Sequence, residues 1–238
     1  HYITKERDIM TGVIQRKERK NIMINLGKAE AILQPNEQIP TEEYELNSRI
    51  KVYILEVKQT TKGSRIFVSR THPELVKRLF EQEVPEVYEG IVEIKSIARE
   101  AGSRTKMAVH SNDSEVDPVG ACVGQNGQRV NVIVNELRGE KIDIIQWSDD
   151  PKEFIAAALS PSKVIKVITD EENKSASVIV PDYQLSLAIG KEGQNARLAA
   201  KLTGWKIDIK SESQAKDAGM VLEESSDQDD EANSGIEE

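Results

Sequence analysis

The chain has 238 residues, a net charge of −9 and only 4% aromatic residues, so its hydrophobic cores must be built mainly from aliphatic side chains. Its one cysteine excludes an intramolecular disulfide framework and fits a reducing compartment such as the cytoplasm. No apolar run approaches the roughly 18 residues of a membrane helix, so no association with a membrane is expected. The chain begins at His1 without a methionine, which predicts that the natural N-terminus lies upstream.

Residues 1–71 are predicted to form a small β-barrel. Alternating apolar residues indicate strands near residues 9–16, 21–27, 29–33, 49–59 and 65–70. The first two are separated by a basic run at residues 16–20, and the last two by a glycine-bearing turn. Five strands in about 70 residues favour a closed barrel of the OB type.

Residues 72–149 and 150–210 are predicted to be two copies of one α+β unit. Each copy has the order helix, strand, strand, helix, Gly-x-x-Gly loop, helix, strand. Asp117, Asp150 and Asp182 each precede a predicted helix and are expected to cap it.

Residues 211–238 are predicted to be a disordered acidic tail. This segment contains ten acidic residues and one lysine, and it is rich in serine. Residues 1–210 contain 31 residues of each sign, so the excess acidity is confined to the tail.

The repeated loops are the most informative motif. Residues 124–127 read Gly-Gln-Asn-Gly and residues 190–193 read Gly-Lys-Glu-Gly, and each is followed by Gln, an amphipathic helix, a glycine and Lys-Ile-Asp-Ile. Two glycines allow a tight turn and a close approach of a ligand to the main chain. The next helix directs its first amides and its positive dipole end at that ligand. One such loop is a weak signal, but two in the same frame indicate an anion-binding device.

These loops resemble those of the KH domain, an RNA-binding module whose Gly-x-x-Gly loop clamps about four nucleotides. The surrounding residues, Asp-Pro-Val-Gly-Ala-Cys-Val-Gly at 117–124 and Ile-Gly-Lys-Glu-Gly-Gln-Asn-Ala-Arg-Leu at 189–198, are similar to the NusA family of bacterial transcription factors. The resemblance covers residues 4–210. It implies an OB barrel followed by two KH domains of the bacterial type, and hence a multidomain fold.

The resemblance also implies a function. The expected ligand is the single-stranded nascent transcript, and the expected partners are RNA polymerase and other Nus-type factors. The expected role is modulation of pausing, termination and antitermination by a monomeric, cytoplasmic protein. The polymerase-binding domain that the family carries at its N-terminus is expected to be absent from this chain. Because residues 1–210 are neutral, we expect a modest, salt-sensitive affinity for RNA.

The barrel is similar to the OB-type domain repeated in the ribosomal S-one protein. Where that family commonly carries exposed aromatics on its second and third strands, this chain has Ile22, Ile24 and Ile32. Electrostatic contacts with RNA are therefore expected rather than base stacking. The candidate contacts in the barrel are Arg16, Lys17, Arg19, Lys62, Arg65 and Arg70.

In the two loops, backbone amides are expected to hold phosphates, and the arginines of the following helices are expected to add charge. Aspartate at either Gly124 or Gly190 is predicted to weaken RNA binding without unfolding the chain. The candidate RNA-binding residues are Gly124, Gln125, Asn126, Gly127, Gln128 and Arg129 in the first copy and Gly190, Lys191, Glu192, Gly193, Gln194 and Arg197 in the second.

Catalytic and metal-binding motifs are not found in the sequence. Its three histidines are scattered without ligand spacing, so no metal and no cofactor are expected. Cys122 is interpreted as a small buried apolar residue rather than a nucleophile. The chain is therefore expected not to be an enzyme.

Two alternatives remain open at this point. Polynucleotide phosphorylase also combines KH and S-one modules, so the chain could be the accessory part of an RNA-degrading enzyme. A ribosome-associated KH protein is the other alternative, although such proteins are usually strongly basic.

Overall fold

The computed structural model describes Tyr2 and residues 5–220. These residues form three units in chain order, a five-stranded barrel and two α+β units, which confirms the predicted fold class. Within this part of the chain, no helix is long and apolar enough to cross a membrane.

The barrel has five strands around an aliphatic core. Its sheet order is β1-β2-β3-β5-β4, and β4 pairs back onto β1 to close it. Neighbouring strands are antiparallel except β3 and β5, which are parallel. Fully buried Ile14, Ile24, Leu33, Val52 and Val68 fill the interior. The strands are β1 (Ile9–Glu18), β2 (Asn21–Asn25), β3 (Glu30–Leu33), β4 (Arg49–Thr60) and β5 (Gly63–Ser69).

The first α+β unit has three strands in the order β6-β7-β8. The pair β6/β7 is antiparallel, and β7/β8 is parallel. Its elements are α1 (Pro73–Glu83), α2 (Pro85–Tyr88), β6 (Val92–Glu100), β7 (Arg104–Ser111), α3 (Pro118–Val123), a 3₁₀ turn (Gln125–Gly127), α4 (Gln128–Glu136) and β8 (Lys141–Gln146).

The second α+β unit repeats this plan with the sheet order β11-β10-β9. Here β9/β10 is antiparallel and β10/β11 is parallel. Its elements are α5 (Pro151–Ala158), β9 (Lys166–Asp170), β10 (Ser175–Val180), a 3₁₀ turn (Asp182–Gln184), α6 (Leu185–Ile189), a second 3₁₀ turn (Lys191–Gly193), α7 (Gln194–Thr203) and β11 (Lys206–Ser211).

Two of the three predicted helix caps are present. The Asp117 carboxylate accepts a hydrogen bond from the Val119 amide at 3.2 Å, and that of Asp150 accepts one from the Lys152 amide at 3.1 Å. The prediction for Asp182 is wrong. Its carboxylate instead accepts from the amide of Ser213 at 3.0 Å and from the hydroxyl of the same residue.

The prediction of disorder from Ser211 onward is also wrong for the described part of that segment. Residues Glu212–Asp217 form helix α8, which begins with a capping box between Ser211 and Gln214. Its Ala215 is fully buried, and α8 contacts β10 and β11. Acidic composition suggested a solvated tail, but the cap and this buried face stabilise a helix on the sheet. Residues 221–238 of the predicted tail lie outside the described residues.

The second α+β unit covers the open face of the first sheet. Ala98, Ala108 and Ile145 of that sheet share one hydrophobic core with residues of α5 and α7. Lys106, fully buried, donates from Nζ to the Ser160 carbonyl at 2.7 Å and to Asp143 at 3.0 Å. The contact between the two units is therefore apolar and hydrogen-bonded, and an ion pair between Arg197 and Glu100 at 2.7 Å also crosses it.

The barrel is joined to the first α+β unit in a similar way. Ile9 and Tyr53 of the barrel lie in the core that contains α1. Arg70 has no exposed side-chain surface, and its guanidinium pairs with Glu42 at 2.9 Å and with Glu136 of α4 at 3.1 Å. It also donates to the carbonyl of Lys51 at 2.8 Å. Ion pairs and apolar contacts thus connect all three units.

Candidate nucleic-acid interface

The two Gly-x-x-Gly loops have the same backbone conformation. Gly124 has φ/ψ of 77°/172° and Gly190 has 79°/167°. The third residues of the loops, Asn126 and Glu192, are both left-handed, with φ of 55° and 56°. Since the dihedral angles agree within a few degrees, the loops are one structural device used twice.

Glycine is required at the start of each loop. A Cβ at Gly124 would lie 2.9 Å from the backbone nitrogen of Arg129, and one at Gly190 would lie 2.7 Å from that of Asn195. The turn therefore folds back tightly against the first turn of the next helix. Aspartate at Gly124 or Gly190 would distort this turn, so a loss of RNA binding in either variant would reflect the altered backbone as well as the added carboxylate.

Each loop leads directly into the N-terminus of a helix. Gly127 donates its amide to the carbonyl of Gly124 at 3.2 Å, and Gly193 donates to Gly190 at 3.1 Å. The first amides of α4 and α7 follow, and such amides have no acceptor within their own helix. The side chains between the glycines, Gln125-Asn126 and Lys191-Glu192, are exposed. The geometry can receive a phosphate group, and only the second loop adds a lysine to it.

The arginines that follow the loops are engaged by carboxylates. Arg129 donates to Glu86 and to the Ala121 carbonyl, both at 2.8 Å. Arg197 donates to Glu100 at 2.7 and 2.8 Å, and its hydrogen bond lowers the pKa of that carboxyl. Both guanidinium groups are therefore partnered, and the first stabilises its own unit while the second joins α7 to β6.

The positions beside the loops differ in exposure. Cys122 and Ala188 are fully buried, and burial raises the pKa of the Cys122 thiol to about 12. Leu187 and Ile189 are exposed, at 44% and 37%. Tyr183, one helical turn before Leu187, is 76% exposed and was not singled out from the sequence. The second loop is thus bordered by accessible apolar surface.

Three of the barrel candidates lie together. Arg19, Lys62 and Arg65 line a groove of about 690 Å³ that also contains Met23 and Ile32. Lys28 lines the same groove and was missed in the sequence. These four basic side chains outnumber the two acidic ones that line the groove, Glu18 and Glu30, so the lining has a net positive charge.

Three other barrel candidates are not part of this groove. Arg16 and Lys17 line a separate cavity of about 1130 Å³, and Arg16 is paired with Glu30. Arg70 must be corrected, because its fully buried side chain bonds Glu42 and Glu136 and so cannot contact RNA. Its residue type suggested exposure, because arginine side chains are mostly exposed.

An aromatic side chain next to the groove was also missed. Phe67 of β5 is half-buried and pairs across the sheet with Ile32, which pairs in turn with Met23. Lys58 and Arg65 lie over its ring at 5.4 and 5.8 Å from the centroid. Ile22 and Ile24, by contrast, point into the barrel core. Alternation along β5, with Ile66 and Val68 buried, was the signal that could have found Phe67.

Acidic and histidine side chains do not form a metal site in the part of the chain that the structure describes. The four acidic residues with buried side chains or buried ion pairs, Glu42, Glu136, Glu140 and Asp143, are all bonded to basic groups.

Comparisons with known proteins agree with this arrangement. Residues 4–69 match the S1 RNA binding domain, residues 70–147 the NusA-like first KH domain and residues 151–217 the NusA-like second KH domain. The match to the second KH domain extends over helix α8.

Three curated relatives carry the name transcription termination/antitermination protein NusA. The chain is 64% identical to the protein of Halalkalibacterium halodurans and 65% identical to that of Bacillus subtilis, in both cases over 94% of this chain. It is 50% identical to that of Thermus thermophilus over 97% of its length. The matches cover 58%, 60% and 60% of those relatives, so this chain spans little more than half of each.

Proposed function

The chain belongs to the NusA family of transcription termination/antitermination proteins, and from this we propose that it is the RNA-binding part of such a factor. Its ligand is the single-stranded nascent transcript. The observation that carries the proposal is the pair of loops with matching backbone angles, each opening onto a helix N-terminus within one connected platform.

The proposed path of the RNA begins at the barrel groove and crosses both loops. Arg19, Lys28, Lys62 and Arg65 attract the phosphates at the barrel, and Phe67 offers a ring on which a base can stack. The loops then hold phosphates by backbone amides. The barrel is the more basic end of this path, because the loop arginines are already paired with carboxylates.

The transcriptional role follows from family membership. We propose that RNA binding here contributes to pausing, termination and antitermination, with RNA polymerase and other Nus-type factors as partners. We further propose a monomeric, cytoplasmic protein without catalytic activity. Membership of the NusA family removes the ground for the two alternatives, RNA degradation and a ribosome-associated role.

The domain limits are part of the proposal. Residues 1–71 form the barrel domain, residues 72–149 the first KH domain and residues 150–210 the second KH domain. Helix α8 packs on the second sheet and is assigned to the second KH domain.

The direct test is binding of the chain to a short single-stranded RNA and to DNA of the same sequence across a series of salt concentrations. We expect RNA to bind more tightly than DNA, because the 2′-hydroxyl and the bases contribute beside the phosphates. Failure of the chain to bind RNA at low salt would contradict the proposal.

A charge reversal in the second loop tests the site itself. Lys191→Asp replaces the loop cation with a carboxylate at an exposed position, and should weaken RNA binding about tenfold. Lys174→Asp is the matched control, because it makes the same change in charge in the exposed turn between β9 and β10. Equal losses in the two variants would show that only overall charge matters, and that the loop does not contact RNA.

A further inference from the structure

A crevice lies between the two KH domains, and Gly190 and Lys191 of the second loop form part of its lining. It has a volume of about 360 Å³. The first KH domain contributes Ser103 from the turn between β6 and β7 and Lys141 from the start of β8. The second contributes Leu187, Lys191 and Asn195 from α6, the loop and α7.

The position of this crevice is held by contacts between the domains. Gln194 donates from Nε2 to the Ser103 hydroxyl at 2.7 Å, across the domain boundary. Arg197, one turn further along α7, pairs with Glu100 of β6. Because both residues follow the second loop immediately, the loop and the edge of the first KH domain form one surface.

The lining of the crevice is basic. Lys141, Lys191 and Arg104 line it, and none of its lining residues is acidic. Arg104 is paired with Asp143, but Lys141 and Lys191 are exposed and have no ion pair with any residue that the structure describes. Two unpaired ammonium groups beside one crevice repel each other, and an anion placed between them removes that repulsion.

A second observation concerns the buried wall of the same crevice. Asn195 is 5% exposed, and its Nδ2 donates to the carbonyls of Ala188 at 2.9 Å and Leu159 at 3.1 Å. Both partners are acceptors, so the amide nitrogen must face them. Its Oδ1 is left without a hydrogen-bond partner among the described residues. Buried acceptors are normally satisfied, so this oxygen can accept a hydrogen bond from a water molecule or from a bound ligand.

We infer that the crevice binds one nucleotide of the RNA, with its phosphate between Lys141 and Lys191. A nucleotide carries several hydrogen-bond donors on its ribose and base for the Asn195 oxygen, whereas inorganic phosphate near neutral pH carries only one or two. The second loop is therefore completed by a residue of the first KH domain. This inference rests on the proposed function, because it names further contacts for the same RNA.

The duplication supplies a matched pair of variants for the test. Lys141 and Lys206 occupy the same position in the repeated Lys-Ile-Asp-Ile strand, and both are exposed. Only Lys141 lines the crevice, while Lys206 lines a different surface on the second sheet. Lys141→Gln and Lys206→Gln thus remove the same charge at equivalent places of the repeat.

We expect Lys141→Gln to weaken binding of single-stranded RNA about fivefold and to lower the slope of log affinity against log salt by about one. Lys206→Gln should change the affinity by less than about twofold. Combining Lys141→Gln with Lys191→Gln should cost less than the product of the single losses, since both lysines hold one phosphate. Thermal unfolding of each variant should match that of the unchanged chain.

Three outcomes would overturn the inference. Equal losses for Lys141→Gln and Lys206→Gln would show a general charge effect, and the proposed function would stand if all variants still bound RNA. If inorganic phosphate alone raised the temperature of thermal unfolding, and Lys141→Gln abolished this rise while leaving RNA binding unchanged, that result would assign the crevice to a free anion. Absence of RNA binding by the unchanged chain would remove the proposed function and this inference together.

Discussion

Cys122 shows how the environment of one residue decides its chemistry. It lies at the end of α3, two residues before the first loop, where a reactive thiol would be close to the proposed path of the RNA. Its side chain is fully buried among the aliphatic residues around α1 and α4. Burial is the largest cause of its raised pKa, and nearby Glu86 adds to it. A thiolate is the reactive form of cysteine, so this residue should be inert in the native protein.

The corresponding prediction concerns alkylation. With a pKa of about 12, Cys122 should show no measurable reaction with iodoacetamide at pH 8 over the time in which an exposed cysteine reacts completely. The control is the same chain in concentrated urea, where the thiol regains an ordinary pKa and should be labelled fully. Mass spectrometry measures both. Rapid labelling of the native chain would contradict the burial of this side chain.

Two arginines of the barrel region also differ in their surroundings. Arg65 and Arg70 lie five residues apart and are identical in type, yet one is exposed beside the barrel groove and the other is fully buried. Residue type alone cannot separate them, because the distinction depends on carboxylates that are remote in the sequence.

At the scale of elements, the loop and the helix after it behave as one unit. The first glycine permits a backbone conformation that other residues rarely adopt, and the next helix turn closes tightly against it. The local sequence contains all residues of this unit, so the motif could be predicted. Helix α8 differs, because it is stabilised by contacts with β10 and β11, and the residues of the helix alone do not reveal these contacts.

The capping box of α8 gives a prediction for that element. Ser211→Ala removes the hydroxyl that accepts from the Gln214 amide at 3.1 Å, and should lower the free energy of unfolding by about 1 kcal/mol. Ser114→Ala, at an exposed position in the first KH domain, is the control and should have little effect. Urea denaturation followed by circular dichroism measures both. If the two variants were equally stable, α8 would not be coupled to the second KH domain.

Across the whole molecule, buried basic side chains join the three domains. Arg70 connects the barrel to α4, and Lys106 connects the first KH domain to Ser160 of the second. Burial acts to raise the pKa of the Asp143 carboxyl, but hydrogen bonds from Arg104 and Lys106 outweigh this effect, so the pKa of Asp143 is lowered. The stability from this group is present above its unfolded pKa and is lost as the pH falls through the lower, folded value.

Removal of Arg70 should therefore destabilise the chain strongly. Arg70→Met leaves buried Glu42 with only the longer contact to Arg138 at 3.8 Å and removes the ion pair of Glu136, and we expect a loss of about 3–5 kcal/mol in the free energy of unfolding. Arg65→Met removes an exposed arginine of the same domain and should cost less than about 1 kcal/mol. Denaturant unfolding compares them. A small loss in Arg70→Met would mean that the barrel and the first KH domain are not coupled through this residue.

Much of the fold could be predicted from the sequence. The five barrel strands, the repeated order of elements and the two loops follow from local alternation, glycine positions and duplication. Element boundaries differed modestly, as in β1, which extends to Glu18 rather than to residue 16. The role of Asp182 could not be predicted, because its partner Ser213 lies 31 residues away in a helix that the composition did not suggest.

The domain types, their order and the two Gly-x-x-Gly loops could be read from the sequence, because each depends on residues that are close together in the chain. Which basic side chains are accessible depends on the tertiary structure. It buried Arg70, paired Arg129 and Arg197 with acids, and placed Lys141 of one KH domain beside Lys191 of the other. Accessibility and charge pairing are properties of surfaces assembled from distant segments, and so they appear only when the domains pack together.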